Sequence, residues 1–168
     1  FIKSVNWKPI ITAPHGYVLG LAFGIILESD LIVAEEGTRI QLTETSRGLG
    51  GSKYWRLMQY RGGSTFSTEI ALTGRFFTAE EGHNAGIIDR VTPTGKHLET
   101  ALDLAQQINN NPPLSVRATV RTRRLEMERI GREAQSQINA LKLFLTEDFH
   151  EAAKAFTEKR KPNEFKGR

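Results

Sequence analysis

The 168-residue sequence contains no cysteine, which excludes disulfides, thiolate nucleophiles and cysteine-ligated metal sites. It has no apolar run approaching the roughly 18–20 residues a membrane-spanning helix needs, and no basic-then-apolar signal segment. Aromatic residues are 8% of the chain and sparse between positions 78 and 143, and there is no internal repeat or low-complexity tract. These absences set the expectations of a cytoplasmic setting, no membrane partner, and no nucleic-acid surface of the kind that interleaves basic and stacking side chains.

What is present is an ordinary globular composition, 39% hydrophobic and 25% charged, long enough for one domain with a sizeable core. The net charge of +4 is not confined to one tail. Arg117, Arg121, Arg123 and Arg124 form one cluster, and Lys159, Arg160, Lys161, Lys166 and Arg168 another. The first alternates onward with Glu126, Glu128 and Glu133, which reads as a solvated, ion-paired helix face. The chain opens on Phe1, within what reads as a helix end, so it is expected to be a fragment or to have its natural start upstream.

Residues 10–13 and 31–34 are short apolar runs that fit buried strands, and the alternation at 39–42 fits a third. Residues 21–29 are apolar nearly all round, as in a helix packed between layers. Strands alternating with helices argue for a layered α/β unit. Helices are expected at 52–60 and 64–72. Thr78-Ala79-Glu80-Glu81 is a capping box, and 87–91 reads as a strand. Beyond Gly95 the pattern is helical. Residues 96–108 carry apolar positions at 98, 102, 105 and 108, and Pro113 suits the first turn of a long helix. That helix, over 114–145, is expected to break at Gly131. Thr146 can cap a last helix over 147–159, before a polar tail.

Chemistry concentrates near the start. His15-Gly16-Tyr17-Val18-Leu19-Gly20, followed by the apolar run 21–27 and then Asp30-Leu31-Ile32-Val33-Ala34, reads as a strand, a glycine turn, a buried helix start and a second strand. Such a turn leaves helix N–H groups without intrahelical partners. Those donors can stabilise an oxyanion, and a nearby carboxylate, Glu44, can move protons. The pattern suits chemistry at a carbonyl. Taken alone, Glu44 reads as a solvated turn carboxylate, and Leu21 reads equally as a core residue or as the donor position. The four histidines, His15, His83, His97 and His150, show no metal-ligand spacing, there is no Ser-His-Asp motif, and no metal is expected.

The order of these blocks resembles the middle and C-terminal parts of the enoyl-CoA hydratase/isomerase (crotonase) superfamily. The residues concerned are Lys8-Pro9-Ile10-Ile11-Thr12-Ala13, Gly16-Tyr17-Val18-Leu19-Gly20 and Ser29-Asp30-Leu31-Ile32-Val33-Ala34. They continue through Leu72-Thr73-Gly74-Arg75, Thr78-Ala79-Glu80-Glu81 and Ala85-Gly86-Ile87-Ile88-Asp89-Arg90-Val91. The last are Glu147-Asp148-Phe149, Ala155-Phe156 and Glu158-Lys159-Arg160-Lys161-Pro162. The resemblance implies an α/β crotonase-like (ClpP/crotonase) fold, with a partial core over 1–95 and a helical segment over 96–168 for oligomerisation and a CoA lid. It also implies a further block of strands and helices upstream of Lys8, supplying the other oxyanion donor and much of the adenine and pantetheine pocket.

Carried over residue by residue, the resemblance makes Glu44 the acid/base at the α-carbon of an acyl-CoA thioester. The backbone N–H of Leu21 becomes an oxyanion donor, with Gly20 beside it, and Phe156 and Lys159 become contacts to bound CoA. CoA enters as part of the substrate and no separate cofactor is expected. The family's second glutamate falls on Gly24. Glu28, one turn later, reads either as a displaced substitute or as a structural residue at the helix end. A single carboxylate implies isomerase-like rather than hydratase-like chemistry through a thioester enolate. The glycine-rich loop Arg47-Gly48-Leu49-Gly50-Gly51-Ser52-Lys53 departs from the family pattern, and it lacks the spacing of a phosphate-binding loop. Self-association as a trimer or dimer of trimers is expected. The alternative is a relative of the same fold, or a fragment of one, that binds or assembles without turnover.

Overall fold

The computed structural model describes residues 6–168; the expected helix end at Phe1 lies outside them. Strands β1 (Ile11–Thr12), β2 (Tyr17–Leu19), β3 (Leu31–Glu35), β4 (Arg39–Gln41), β5 (Phe76–Thr78) and β6 (Arg90–Thr92) form two three-stranded sheets. In one, β3 lies between β1 and β6 and all strands are parallel; in the other, β4 pairs parallel with β2 and antiparallel with β5. Helix α1 (Leu21–Glu28) links β2 to β3 and buries Phe23, Ile26 and Leu27. The core around it holds Ile32, Ile40, Leu42, Leu57, Met58, Ile70 and Phe77. Phe77 stands edge-on to both Phe23 and Phe66. Each such side chain, fully removed from water, contributes about 1.5–3 kcal/mol.

Helices α2 (Ser52–Arg61) and α3 (Ser64–Thr73) follow, then the single-turn-and-a-half α4 (Ala79–Asn84). Thr78 caps α4 as its spacing requires: its hydroxyl accepts from the Glu81 N–H, and the Glu81 carboxylate accepts from the Thr78 N–H. The strand expected at 87–91 is shifted to β6. Ile87 and Ile88 are buried, but both of their N–H groups donate to the Gly82 carbonyl, so they close a turn against α4 and cannot join the ladder. Asp89 completes the junction by accepting from the Ile32 N–H at 2.8 Å. Strand β5, only three residues long, carries no alternation that marks it in the sequence.

From α5 (His97–Asn109) onward the chain is helical. Leu98 and Leu102 line a groove of about 560 Å³ between β1, α5 and the start of α6, so that apolar stripe does not enter the core. Helix α6 runs unbroken from Pro113 to Asn139 along α2. Gly131 does not interrupt it: the aliphatic stem of Lys53 lies against that position, and Met127, Ile130 and Ala134 are buried on either side. A buried interior glycine costs about 1 kcal/mol relative to alanine, less than the burial around it returns. On the outer face Arg129 pairs with Glu126 and Glu133, and Arg132 with Glu128.

Arg124 departs from the expected solvated face. It is 2% exposed and its guanidinium meets the Asp30 carboxylate and the carbonyls of Asn6 and Lys8. Thr146 caps α7 (Glu147–Thr157) through the Phe149 N–H. The tail then folds back along α7, where Asp148 accepts from the Lys166 and Gly167 N–H groups and the Arg168 carbonyl accepts from the Glu147 N–H.

Candidate active site

The register of β2 against β4 places Leu19 opposite Gln41, and because the two strands are parallel their C-terminal ends leave the sheet at the same edge. One end turns through Gly20 into α1; the other runs through Leu42 and Thr43 to Glu44. The Gly20 N–H donates to the Gln41 carbonyl at 3.0 Å and ties the two exits together. Gly20 has φ 50° and ψ −116°, a backbone that L side chains rarely adopt, and a Cβ there would stand 2.6 Å from Thr43 Oγ1. Glycine is therefore required twice over, by torsion and by space. The same position lies 3.7 Å from Glu44 Oε1, so the carboxylate faces the backbone at the helix start.

No side chain caps α1. The N–H groups of its first turn point out of the helix with the positive end of its dipole. Leu21 is 71% exposed, which removes the core reading of that residue.

Glu44 begins a 3₁₀ turn, Thr45–Arg47, and its carbonyl accepts from the Arg47 and Leu49 N–H groups. Thr45 donates to the Ala71 carbonyl and Gln41 to that of Gly74, anchoring the segment on the end of α3. Gly48 lets α7 close on this loop, since a Cβ there would stand 2.9 Å from Phe149 Cα. That packing accounts for the glycine at position 48. Glu44 Oε2 is buried and makes no hydrogen bond. Burial pushes its carboxyl above the ordinary carboxylate value, opposed in part by the backbone N–H groups of Glu44 and Thr43. A half-buried carboxyl whose pKa is raised by desolvation suits proton transfer.

Glu44 lines a cleft of about 230 Å³ with Leu49, Lys53 and Tyr54 on one side and Ile138, Asn139 and Phe144 on the other. Gly24 presents no side chain; a Cβ on it would collide with the Tyr54 ring. Glu28 is buried at the end of α1 and paired with Lys53, as a structural residue would be. Phe156 is not among the side chains of the cleft: the Arg47 guanidinium covers its ring at 3.8 Å, which links α7 to the Glu44 turn. Lys159 is exposed just beyond α7, with φ 55°. Two of the four histidines, separate in the sequence, meet: the His15 and His97 rings lie 5.0 Å apart, with His97 Nδ1 3.0 Å from Glu35. Tyr54 was not marked by any sequence signal, because its position over Gly24 exists only when α1 and α2 pack.

Several known proteins are similar to this chain in sequence or in fold. A mevalonyl-coenzyme A hydratase of Aspergillus fumigatus is 35% identical over 161 residues, 92% of this chain and 59% of its own length. A 2,3-dehydroadipyl-CoA hydratase of Escherichia coli is 36% identical over 166 residues, 96% of this chain and 64% of its own. The chain thus spans about three fifths of the length of these relatives. The crystal structure of carnitinyl-CoA hydratase from Mycobacterium avium superposes with a TM-score of 0.79 at 32% identity, covering 99% of this chain and 66% of that one. The family model described as enoyl-CoA hydratase/isomerase matches residues 2–168. With a crotonase-type fold and a family match over nearly its whole length, this chain belongs to the enoyl-CoA hydratase/isomerase family.

Proposed function

We propose that this chain carries the proton-transfer part of an acyl-CoA active site, with Glu44 as the acid/base at the α-carbon and the N-terminus of α1 as a holder of the thioester enolate. The observation that carries this reading is the unpartnered, buried Glu44 Oε2, set at the same sheet edge as the uncapped helix start. A proton leaves the α-carbon for the carboxylate, and the electron pair moves onto the thioester oxygen. The Leu21 N–H, with Gly20 beside it, stabilises the charge there more than it stabilises the neutral carbonyl. Returning the proton to a different carbon shifts a double bond, and one carboxylate is enough for that. Phe156 from α7 and Lys159 from just beyond it are proposed to cover bound CoA, the lysine as a point charge for phosphate. The assembly is proposed to be a trimer or dimer of trimers in the cytoplasm.

The names of the two relatives, both hydratases, favour a second reading in which water is added to an enoyl thioester. Glu44 has the same duty in both. A non-catalytic role is favoured only by the missing side chain at Gly24. The test is deuterium incorporation at the α-carbon of butyryl-CoA by the intact protein in heavy water, read by mass spectrometry. Glu44→Gln preserves shape and removes the base, so exchange is expected to fall by roughly 10²–10⁴-fold. Exchange unchanged in that variant rejects Glu44, and no exchange by the folded wild-type protein supports the non-catalytic relative.

A further inference from the structure

Gly24 lies one turn into α1, its N–H donating to the Gly20 carbonyl at 3.1 Å. A Cβ built on it would stand 2.5 Å from Tyr54 Cε1, 2.7 Å from Cζ and 2.8 Å from Oη. The polar end of the Tyr54 ring thus fills the volume that a side chain at position 24 would occupy. Tyr54 also lines the cleft that holds Glu44. Among the described residues no group is hydrogen-bonded to its Oη. Ring packing explains the glycine, and it leaves the hydroxyl available to a ligand of the cleft that Glu44 also lines.

The surroundings keep that hydroxyl neutral. Burial first, and then the negative charges of Glu44 and Glu28, push the phenol above its ordinary value. The neighbouring ammonium of Lys53 is taken up by Glu28. A neutral phenol is both donor and acceptor. It can accept from a water that attacks, and donate to a hydroxide that leaves.

We propose that Tyr54 is a catalytic residue of this site, its hydroxyl holding the oxygen that adds to or leaves the β-carbon of an enoyl or 3-hydroxyacyl thioester. The proposal rests on the acid/base reading of Glu44 and adds what happens at the next carbon. In hydration the water oxygen bonds to the β-carbon while the double-bond pair moves onto the thioester oxygen as an enolate. The water proton passes to Glu44, and Glu44 returns it to the α-carbon as the enolate collapses. Tyr54 ends with the proton it began with. One carboxylate and one phenol then do the work otherwise divided between two carboxylates, and the site takes 2-enoyl and 3-hydroxyacyl thioesters as its substrate class.

The test separates the two carbons. Hydration of but-2-enoyl-CoA and α-exchange of butyryl-CoA are measured on the intact wild-type, Tyr54→Phe and Glu44→Gln proteins. Phenylalanine keeps the ring over Gly24, so the fold is retained. Tyr54→Phe is expected to lower hydration by roughly 10–100-fold, the worth of one hydrogen bond to a developing charge, while α-exchange stays within about threefold. An equal fall in both, unchanged hydration, or a wild-type protein that exchanges without hydrating overturns the proposal. Glu44→Gln is expected to lose both; if it alone leaves exchange intact, the acid/base reading fails while the ratio for Tyr54 is still read. Binding gives a measure without turnover. Wild type is expected to prefer 3-hydroxybutyryl-CoA to butyryl-CoA by about 5–10-fold, one neutral hydrogen bond, and Tyr54→Phe to lose that preference. A preference equal in both proteins also overturns it.

Discussion

The carboxylate of Glu44 and the backbone of Gly20 face each other at one edge of the sheet: a Cβ on Gly20 would stand 3.7 Å from Glu44 Oε1. Placed there and half-buried, the Glu44 carboxyl has its pKa raised by desolvation above the ordinary 4.5. The folded state therefore holds the Glu44 proton more tightly than the unfolded state. Stability contributed by that proton is complete below 4.5 and is lost as pH rises through the folded value. Glu44→Gln is expected to match wild type in acid and to be the more stable protein at neutral pH, as read by chemical denaturation at the two pH values. A wild-type protein equally stable relative to the variant at both would overturn the raised value. The exchange rate should rise with pH through the same window, because the base must be ionised.

Arg124 and Asp30 form a second buried pair, with side chains 3% and 8% exposed. Arg123 adds a 3.0 Å contact to the same carboxylate, and the Ile10 N–H donates to it. Removing the guanidinium leaves Asp30 buried and two backbone carbonyls without their donor. Arg124→Ala is expected to cost about 3–5 kcal/mol, the usual penalty for half of a buried pair. Adding Asp30→Asn should recover part of it. Urea titration of the two single variants and the double variant gives the coupling; additive losses would show that the pair does not act as a unit.

Gly131 offers the opposite case. The nearest atoms to a Cβ there are Lys53 Cε and Cγ at 3.6 and 3.7 Å, which is ordinary contact with a flexible stem. Gly131→Ala is expected to stabilise the protein by about 0.5–1 kcal/mol, through helix propensity and a less flexible unfolded chain. A lower melting midpoint in the variant would mean that α2 and α6 approach too closely for a methyl group.

Association is expected from the surface at the C-terminal end. Leu141, Phe144 and Leu145, between the end of α6 and the start of α7, and Phe156 near the end of α7 are all more than half exposed. Apolar side chains grouped in this way mark contact surfaces more often than free ones. Light scattering of the protein at micromolar concentration is expected to show a trimer or a multiple of it. A clean monomer would reject self-association through this face.

The parts of the molecule legible in the sequence are those set by short-range physics. The Thr78–Glu81 capping box and the Thr146 cap follow from spacing, because their partners lie within one turn, and the apolar run of α1 marks a buried helix by its composition. The same holds for Gly20, whose positive φ is a local requirement. Tertiary packing decided the rest. It drew Ile87 and Ile88 out of a strand by giving their N–H groups to Gly82, kept α6 whole through Gly131, and buried Arg124 from a helix that reads as solvated. It also set the Tyr54 hydroxyl over Gly24, beside Glu44. A periodicity reports which residues share a face but not what stands opposite, and the pairing of an empty position on one helix with a ring on another is fixed only when the two helices meet.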